Sequence, residues 1–174
     1  MNMTRAVLVG TLATLGVAFA ADSTYKSAKY GFSFSYPSTW ENIKLVKEPV
    51  VVGFRETKPT GNFASNVNVV VIPIEGVESI RTSDLKAVGD ATLKEVSGAI
   101  ENFKLVKREN TTLGGQPAAA YVYSGKWPNM DVQWYQIQTV YKEKGYTLTF
   151  TTSKKKYASV EKLFKTIKNS FKLL

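Results

Sequence analysis

The stretch Tyr30-Gly31-Phe32-Ser33-Phe34-Ser35-Tyr36-Pro37-Ser38-Thr39-Trp40 constrains what this chain can fold into more than any other. Phe32, Phe34 and Tyr36 alternate with Ser33 and Ser35, so an extended backbone puts the aromatics on one face and the hydroxyls on the other. Pro37 has no N–H for a ladder and ends the strand, Ser38-Thr39 turns the chain, and Trp40 opens a new run. Each buried aromatic contributes roughly 1.5–3 kcal/mol, enough for this short segment to anchor much of a core. An ordinary half-buried strand explains the pattern better than an aromatic binding platform, so Phe32, Phe34 and Tyr36 are expected inside.

The rest of the chain supplies partners for that strand. Trp40 to Val46 reads as a second strand, broken by Glu48-Pro49, and Val50 to Arg55 as a third. Lys58 to Asn62 is a loop by its turn residues. Asn66 to Pro73 begins with clean alternation and becomes apolar on both faces, the pattern of a strand covered on both sides. Leu85, Val88, Thr92, Val96, Ala99 and Ile100 follow helical spacing, with Thr82 or Ser83 as the expected cap. Phe103 to Arg108 returns to extended structure, and Gly114-Gly115 turns into Gln116 to Tyr123. After the Gly125-Lys126-Trp127-Pro128-Asn129 turn comes a long strand, Met130 to Tyr141, with Val132 and Trp134 opposed to Tyr135 and Ile137. Lys142 to Gly145 makes a hairpin into Tyr146 to Thr151. A last helix carries Tyr157, Val160, Phe164, Ile167 and Phe171 on one stripe, with Ser153 as its expected cap. The order implies a single α+β domain: a central antiparallel sheet of about six to seven strands flanked by helices, an α/β/α sandwich.

Residues 1–20 stand apart. Arg5, the apolar run from Ala6 to Val17 and the small residues Ala18 and Ala20 predict an export signal cleaved near Ala20. The run is shorter than the ~20 residues of a spanning helix. Residues 21–29 then read as a short arm ahead of a domain at 30–174. Export makes the expected location periplasmic, lumenal or extracellular.

The absent residue types decide much of the chemistry. With no cysteine there is no disulfide, no disulfide-linked partner and no thiol nucleophile. With no histidine, Ser-His-Asp catalysis and the commonest zinc ligand are gone. The carboxylates are scattered and form neither a calcium loop nor a catalytic pair; Glu75, Glu78 and Asp84 near one helix start make at best a weak cation site. Gly114-Gly115 lacks the helix and lysine of a phosphate loop. The chain is therefore expected to be no enzyme, with no catalytic residue, metal site or cofactor.

Net charge is +9, and about +8 once Arg5 leaves with the signal. Such a chain suits an acidic protein partner or, weakly, an anionic membrane surface; export argues against nucleic acid. The expected contacts are Trp127, at a turn tip, and the lysines about the last helix: Lys154, Lys155, Lys156, Lys162, Lys165 and Lys168. A solvated outer helix face is the plainer account of those lysines.

Gly31-Phe32-Ser33-Phe34-Ser35-Tyr36-Pro37-Ser38-Thr39-Trp40 also resembles the first strand and turn of the PsbP-like family. The same is true of Val71-Ile72-Pro73-Ile74, Leu113-Gly114-Gly115-Gln116-Pro117-Ala118, Tyr146-Thr147-Leu148-Thr149-Phe150 and the closing Phe164 to Phe171. Together they cover nearly all of 30–171. The resemblance implies the sandwich shared by PsbP, DcrB-like and Mog-type proteins. It implies an exported, non-enzymatic interaction or accessory subunit at a membrane surface, with an unidentified protein partner in a membrane complex. Two alternatives accompany it: an extrinsic subunit of the photosystem II oxygen-evolving side, with which calcium would enter, and a small-ligand carrier with a pocket between sheet and helix. The family's histidines have no counterpart here.

Overall fold

The computed structural model describes residues 22–44 and 46–174, so the expected signal segment lies outside it. In chain order the elements are β1 (Asp22–Ser27), β2 (Phe32–Pro37), β3 (Trp40–Asn42), β4 (Val50–Glu56), β5 (Asn66–Pro73), a 3-10 turn (Thr82–Asp84), α1 (Leu85–Ala99), β6 (Glu101–Leu113), β7 (Gln116–Lys126), β8 (Asp131–Tyr141), β9 (Lys144–Ser153), α2 (Tyr157–Ser170) and β10 (Lys172–Leu173). Seven strands form one antiparallel sheet in the order β3-β4-β5-β9-β8-β7-β6, and β1-β2-β10 form a small second sheet. The expected α+β sandwich is the observed fold.

Opposite parities of the central strands enter two cores. Ala118, Ala120 and Val122 of β7 join Tyr135 and Ile137 of β8 beneath α2 and the small sheet. Ala119, Tyr121 and Tyr123 join Val132 and Trp134 on the α1 side. The three-to-four spacing of α2 buries Tyr157, Val160, Phe164 and Ile167, with Phe164 stacked on Phe150 at 4.8 Å. β2 closes the same core: Phe32 stacks on Phe171 at 5.4 Å, and both Phe32 and Phe34 are buried. Tyr36 is only half-buried, lying on Phe54 at 3.8 Å near the rim.

Several expectations need correction. The 21–29 arm contains a strand, because Tyr25 reaches Phe32, Phe34 and Phe54 at 5.7–5.9 Å and β1 pairs with β2 throughout. The second strand shrinks to three residues; beyond Asn42 the chain bridges the hairpin back to Val50. β5 is buried on one face, through Val67 and Val69, while Asn66 and Asn68 on the other are half-exposed and Ile72 is exposed. The reason is that α1 packs chiefly on β6 and β7. Neither expected cap forms. Asp84 and Lys156 stand at the N-caps with helical backbone angles, φ −90° and −89°, and no side-chain bond. Each helix is entered from a turn, so no extended residue occupies the position from which a side chain caps. The sequence pattern does not announce β10: after Phe171 the chain reverses and pairs Leu173 with Phe32.

Candidate interaction site at the Trp127 end

β7 and β8 are joined by a tight turn in which the Trp127 N–H donates to the Met130 carbonyl at 2.9 Å. Trp127 is 57% exposed at its tip, whereas Trp40 and Trp134 are buried. Strand pairing decides its neighbours. β9 ends at Ser153, opposite Val132, and the Lys154 N–H donates to the Asp131 carbonyl at 2.9 Å. The lysine run after β9 therefore leaves beside the tryptophan turn. From the other side, register sets Lys126 opposite Glu101 and Lys104 opposite Ser124.

Two open depressions flank the turn and meet at Asp131. One, of about 410 Å³, includes Asn102, Lys104, Gly125 and Lys154. The other, of about 630 Å³, runs past Asn62, Phe63 and Met130 to Lys155. Asp131 and Glu101 are exposed acids beside the turn. Among the described residues, Lys104, Lys126, Lys154 and Lys155 make no salt bridge.

The expected contact residues thus divide. Trp127, Lys154 and Lys155 are brought together. Lys156 is turned inward, its Nζ 2.7 Å from both carboxylate oxygens of Glu56, with both side chains mostly buried. Lys162, Lys165 and Lys168 run down α2, away from the turn; Lys165 pairs with Glu161 at 2.8 Å and Lys168 donates to Thr111 Oγ1 at 3.0 Å. Lys104 and Lys126 lie at the same end of the sheet. Lys126 adjoins Trp127 in sequence, but Lys104 becomes a neighbour only through the β6–β7 register.

Elsewhere the polar constellations hold the fold together. Arg108 on β6 donates from Nη1 to Asp90 Oδ1 at 2.5 Å and from Nη2 to the Lys86 carbonyl at 2.7 Å, fastening α1 to the sheet edge. Hydrogen bonds from Lys86 and Arg108 hold the Asp90 carboxyl below its ordinary range. Burial pushes the Tyr121 and Tyr123 hydroxyls up. The Asp84 of the expected cation site is held by Arg81 at 2.9 Å, and among the described residues no group of three or more metal-ligating side chains is assembled. A cleft of about 200 Å³ between α1 and the sheet has apolar walls from Ile72, Ile74, Ile80 and Val88. Thr92 Oγ1 donates to Gln138 Oε1 at 2.8 Å in its lining.

These features define a class: a one-domain α/β/α sandwich on an antiparallel sheet, with a basic, tryptophan-tipped end. The family model described as PsbP matches residues 21–173, and the chain belongs to that family. Cyanobacterial PsbP (CyanoP) from Synechocystis sp. PCC 6803 is similar over 95% of this chain and 100% of its own, with a TM-score of 0.67 and 22% identity. LpqN, described as involved in cell envelope biogenesis of Mycobacterium tuberculosis, covers 88% of this chain and 90% of its own, with a TM-score of 0.64 and 12% identity. A Pseudomonas aeruginosa protein described as a putative regulator, PA94, covers 83% and 91%, with a TM-score of 0.57 and 15% identity. At these identities the structural matches establish the fold alone. No curated protein matches the chain. Among the described residues, no helix is long and apolar enough to cross a membrane.

Proposed function

We propose that this chain is an exported, non-catalytic accessory domain that works at a membrane surface, as an extrinsic component of a membrane complex. The observation that carries this reading is the convergence of an exposed tryptophan with four exposed lysines that, among the described residues, make no salt bridge. An indole at a turn tip is costly to leave in water unless a partner covers it, and it is a frequent anchor of interfaces. The export signal expected at residues 1–20 and the absence of histidine and cysteine support the same reading.

Crosslinking and affinity capture from the native envelope test it. The protein is expected in the membrane fraction, joined to a defined complex by crosslinks near Trp127. Recovery as an uncrosslinked monomer in the soluble envelope fraction would refute it.

The cleft between α1 and the sheet supports a second reading, a small-ligand carrier. That reading expects a metabolite that raises the melting temperature and protects Ile72 and Val88 from solvent. A broad metabolite screen without any such shift would count against it.

A further inference from the structure

We propose that the Trp127 end docks directly on an anionic phospholipid surface. Trp127 would sit at headgroup depth, and Lys104, Lys126, Lys154 and Lys155 would face the lipid phosphates. This rests on the membrane-surface reading above and names the partner's chemistry.

Three observations carry it. First, the four lysines come from three separate segments, the β6 start, the β7 end and the β9–α2 connection, yet the sheet register gathers them around one turn. Second, the placement of Lys154 and Lys155 does not serve the helix that follows them. Lys154 and Lys155 immediately precede α2, where the helix dipole is already positive and cations are disfavoured. Third, charge is uneven along the strands. At the far end of the sheet Glu75, Glu78 and Glu143 offset Arg81, Lys142 and Lys144, whereas near Trp127 the exposed acids Asp131 and Glu101 face four exposed lysines.

The shape fits lipid better than an acidic protein patch. A protein hot spot sits in a packed, desolvated pocket ringed by contacts. Here one indole projects from a narrow turn between two open depressions, with exposed cationic stems around it. An amphipathic ring at headgroup level among basic residues is the arrangement that anionic interfaces stabilise, at about 1 kcal/mol per lysine or about fivefold in affinity. Leu105 and Val106, exposed on the β6 edge next to Lys104, extend the apolar margin.

The test uses protein purified in its natural processed form, mixed with phosphatidylglycerol–phosphatidylcholine vesicles and with phosphatidylcholine vesicles. Trp40 and Trp134 are buried, so a vesicle-induced blue shift in fluorescence reports on Trp127. The expected result is binding and a blue shift with the anionic vesicles only, weakened severalfold from 50 to 500 mM salt as screening shortens. Trp127→Ala is expected to weaken binding about tenfold, and Lys154→Gln and Lys104→Gln about fivefold each, with unchanged melting temperatures. Equal binding to neutral vesicles, no binding to either, or full binding by the Lys154→Gln/Lys104→Gln double variant would each overturn the proposal. Retention on native membranes without vesicle binding would also overturn it, while leaving the accessory-subunit reading intact. Loss from native membranes would instead refute that broader reading.

Discussion

Lys156 Nζ lies 2.7 Å from both carboxylate oxygens of Glu56, tying the start of α2 to the end of β4 across 100 residues of sequence. The side chains are 16% and 15% exposed, and the Ser65 N–H adds a third bond to Glu56 at 3.0 Å. Removing one partner strands a largely buried charge. Glu56→Gln is therefore expected to lower stability by about 1–3 kcal/mol, somewhat less than a fully buried pair loses. The double change Glu56→Gln/Lys156→Met should recover most of that in urea denaturation. Because Lys156 faces inward, Lys156→Met in that background should leave vesicle binding unaltered.

Two glycines of α1 separate packing from propensity. A Cβ on Gly89 would collide with the Tyr121 hydroxyl and the Arg108 guanidinium, whereas one on Gly98 would meet nothing within 4 Å. Gly89→Ala is expected to cost about 1–3 kcal/mol by overpacking. Gly98→Ala should gain about 0.5–1 kcal/mol from helix propensity alone. Thermal melts of the two variants should move in opposite directions, and a shared direction would contradict this packing.

What was legible in the sequence was local. The alternation of Phe32, Phe34 and Tyr36 and the stripe from Tyr157 to Phe171 act within one strand or one helix, so period alone reveals them. The β10 pairing with β2 and the Glu56–Lys156 bond join segments 100 or more residues apart, and nothing in either partner's neighbourhood announces the other. The helix entries failed for a different reason. Thr82, Ser83 and Ser153 are good capping residues, but turns of the chain already occupied the positions where their oxygens would act. In the candidate site Trp127 was visible because Trp-Pro-Asn between two strands marks a turn tip. Lys104 was not, since a residue's place around a site depends on register, and bulges in β6 shift it twice. Charge along α2 likewise does not say which stems fold back onto partners, as Lys165 does onto Glu161 and Lys168 onto Thr111.

Tyr121 offers a test of the α1 seat. Among the described residues its hydroxyl is buried without a hydrogen-bond partner, beneath Gly89 and beside Arg108. Removing an unsatisfied buried hydroxyl breaks no bond and ends its desolvation cost. Tyr121→Phe is expected to leave stability unchanged or raise it by about 1 kcal/mol, read as a shift in the urea midpoint at constant slope. A loss above ~1 kcal/mol would show that the hydroxyl has a partner.

The pH limits of stability follow from groups at opposite edges of the scale. Burial, aided by the negative charges of Glu109 and Glu161, pushes the Tyr135 hydroxyl up to about 12. Burial likewise raises Tyr123 and Tyr157. A raised value means that the fold favours the protonated form. Their contribution is complete below the ordinary tyrosine value of 10.0 and is lost as pH climbs from there through the folded values. Asp90 works in reverse: its carboxyl is depressed, so its contribution is present above the ordinary value of 3.8 and lost as pH falls through the lower folded value. Stability should thus stay level through neutrality, with no histidine to bend it there, and fall at both ends. Tyr135→Phe should flatten part of the fall above pH 10 without touching the acid limb. Asp90→Asn should remove a share of the acid limb and leave the Tyr135 share of the alkaline limb as it was, because burial, Glu109 and Glu161, not Asp90, raise that hydroxyl. Urea midpoints measured across both limbs for the two variants check this, and an alkaline fall undiminished by Tyr135→Phe would contradict the assignment.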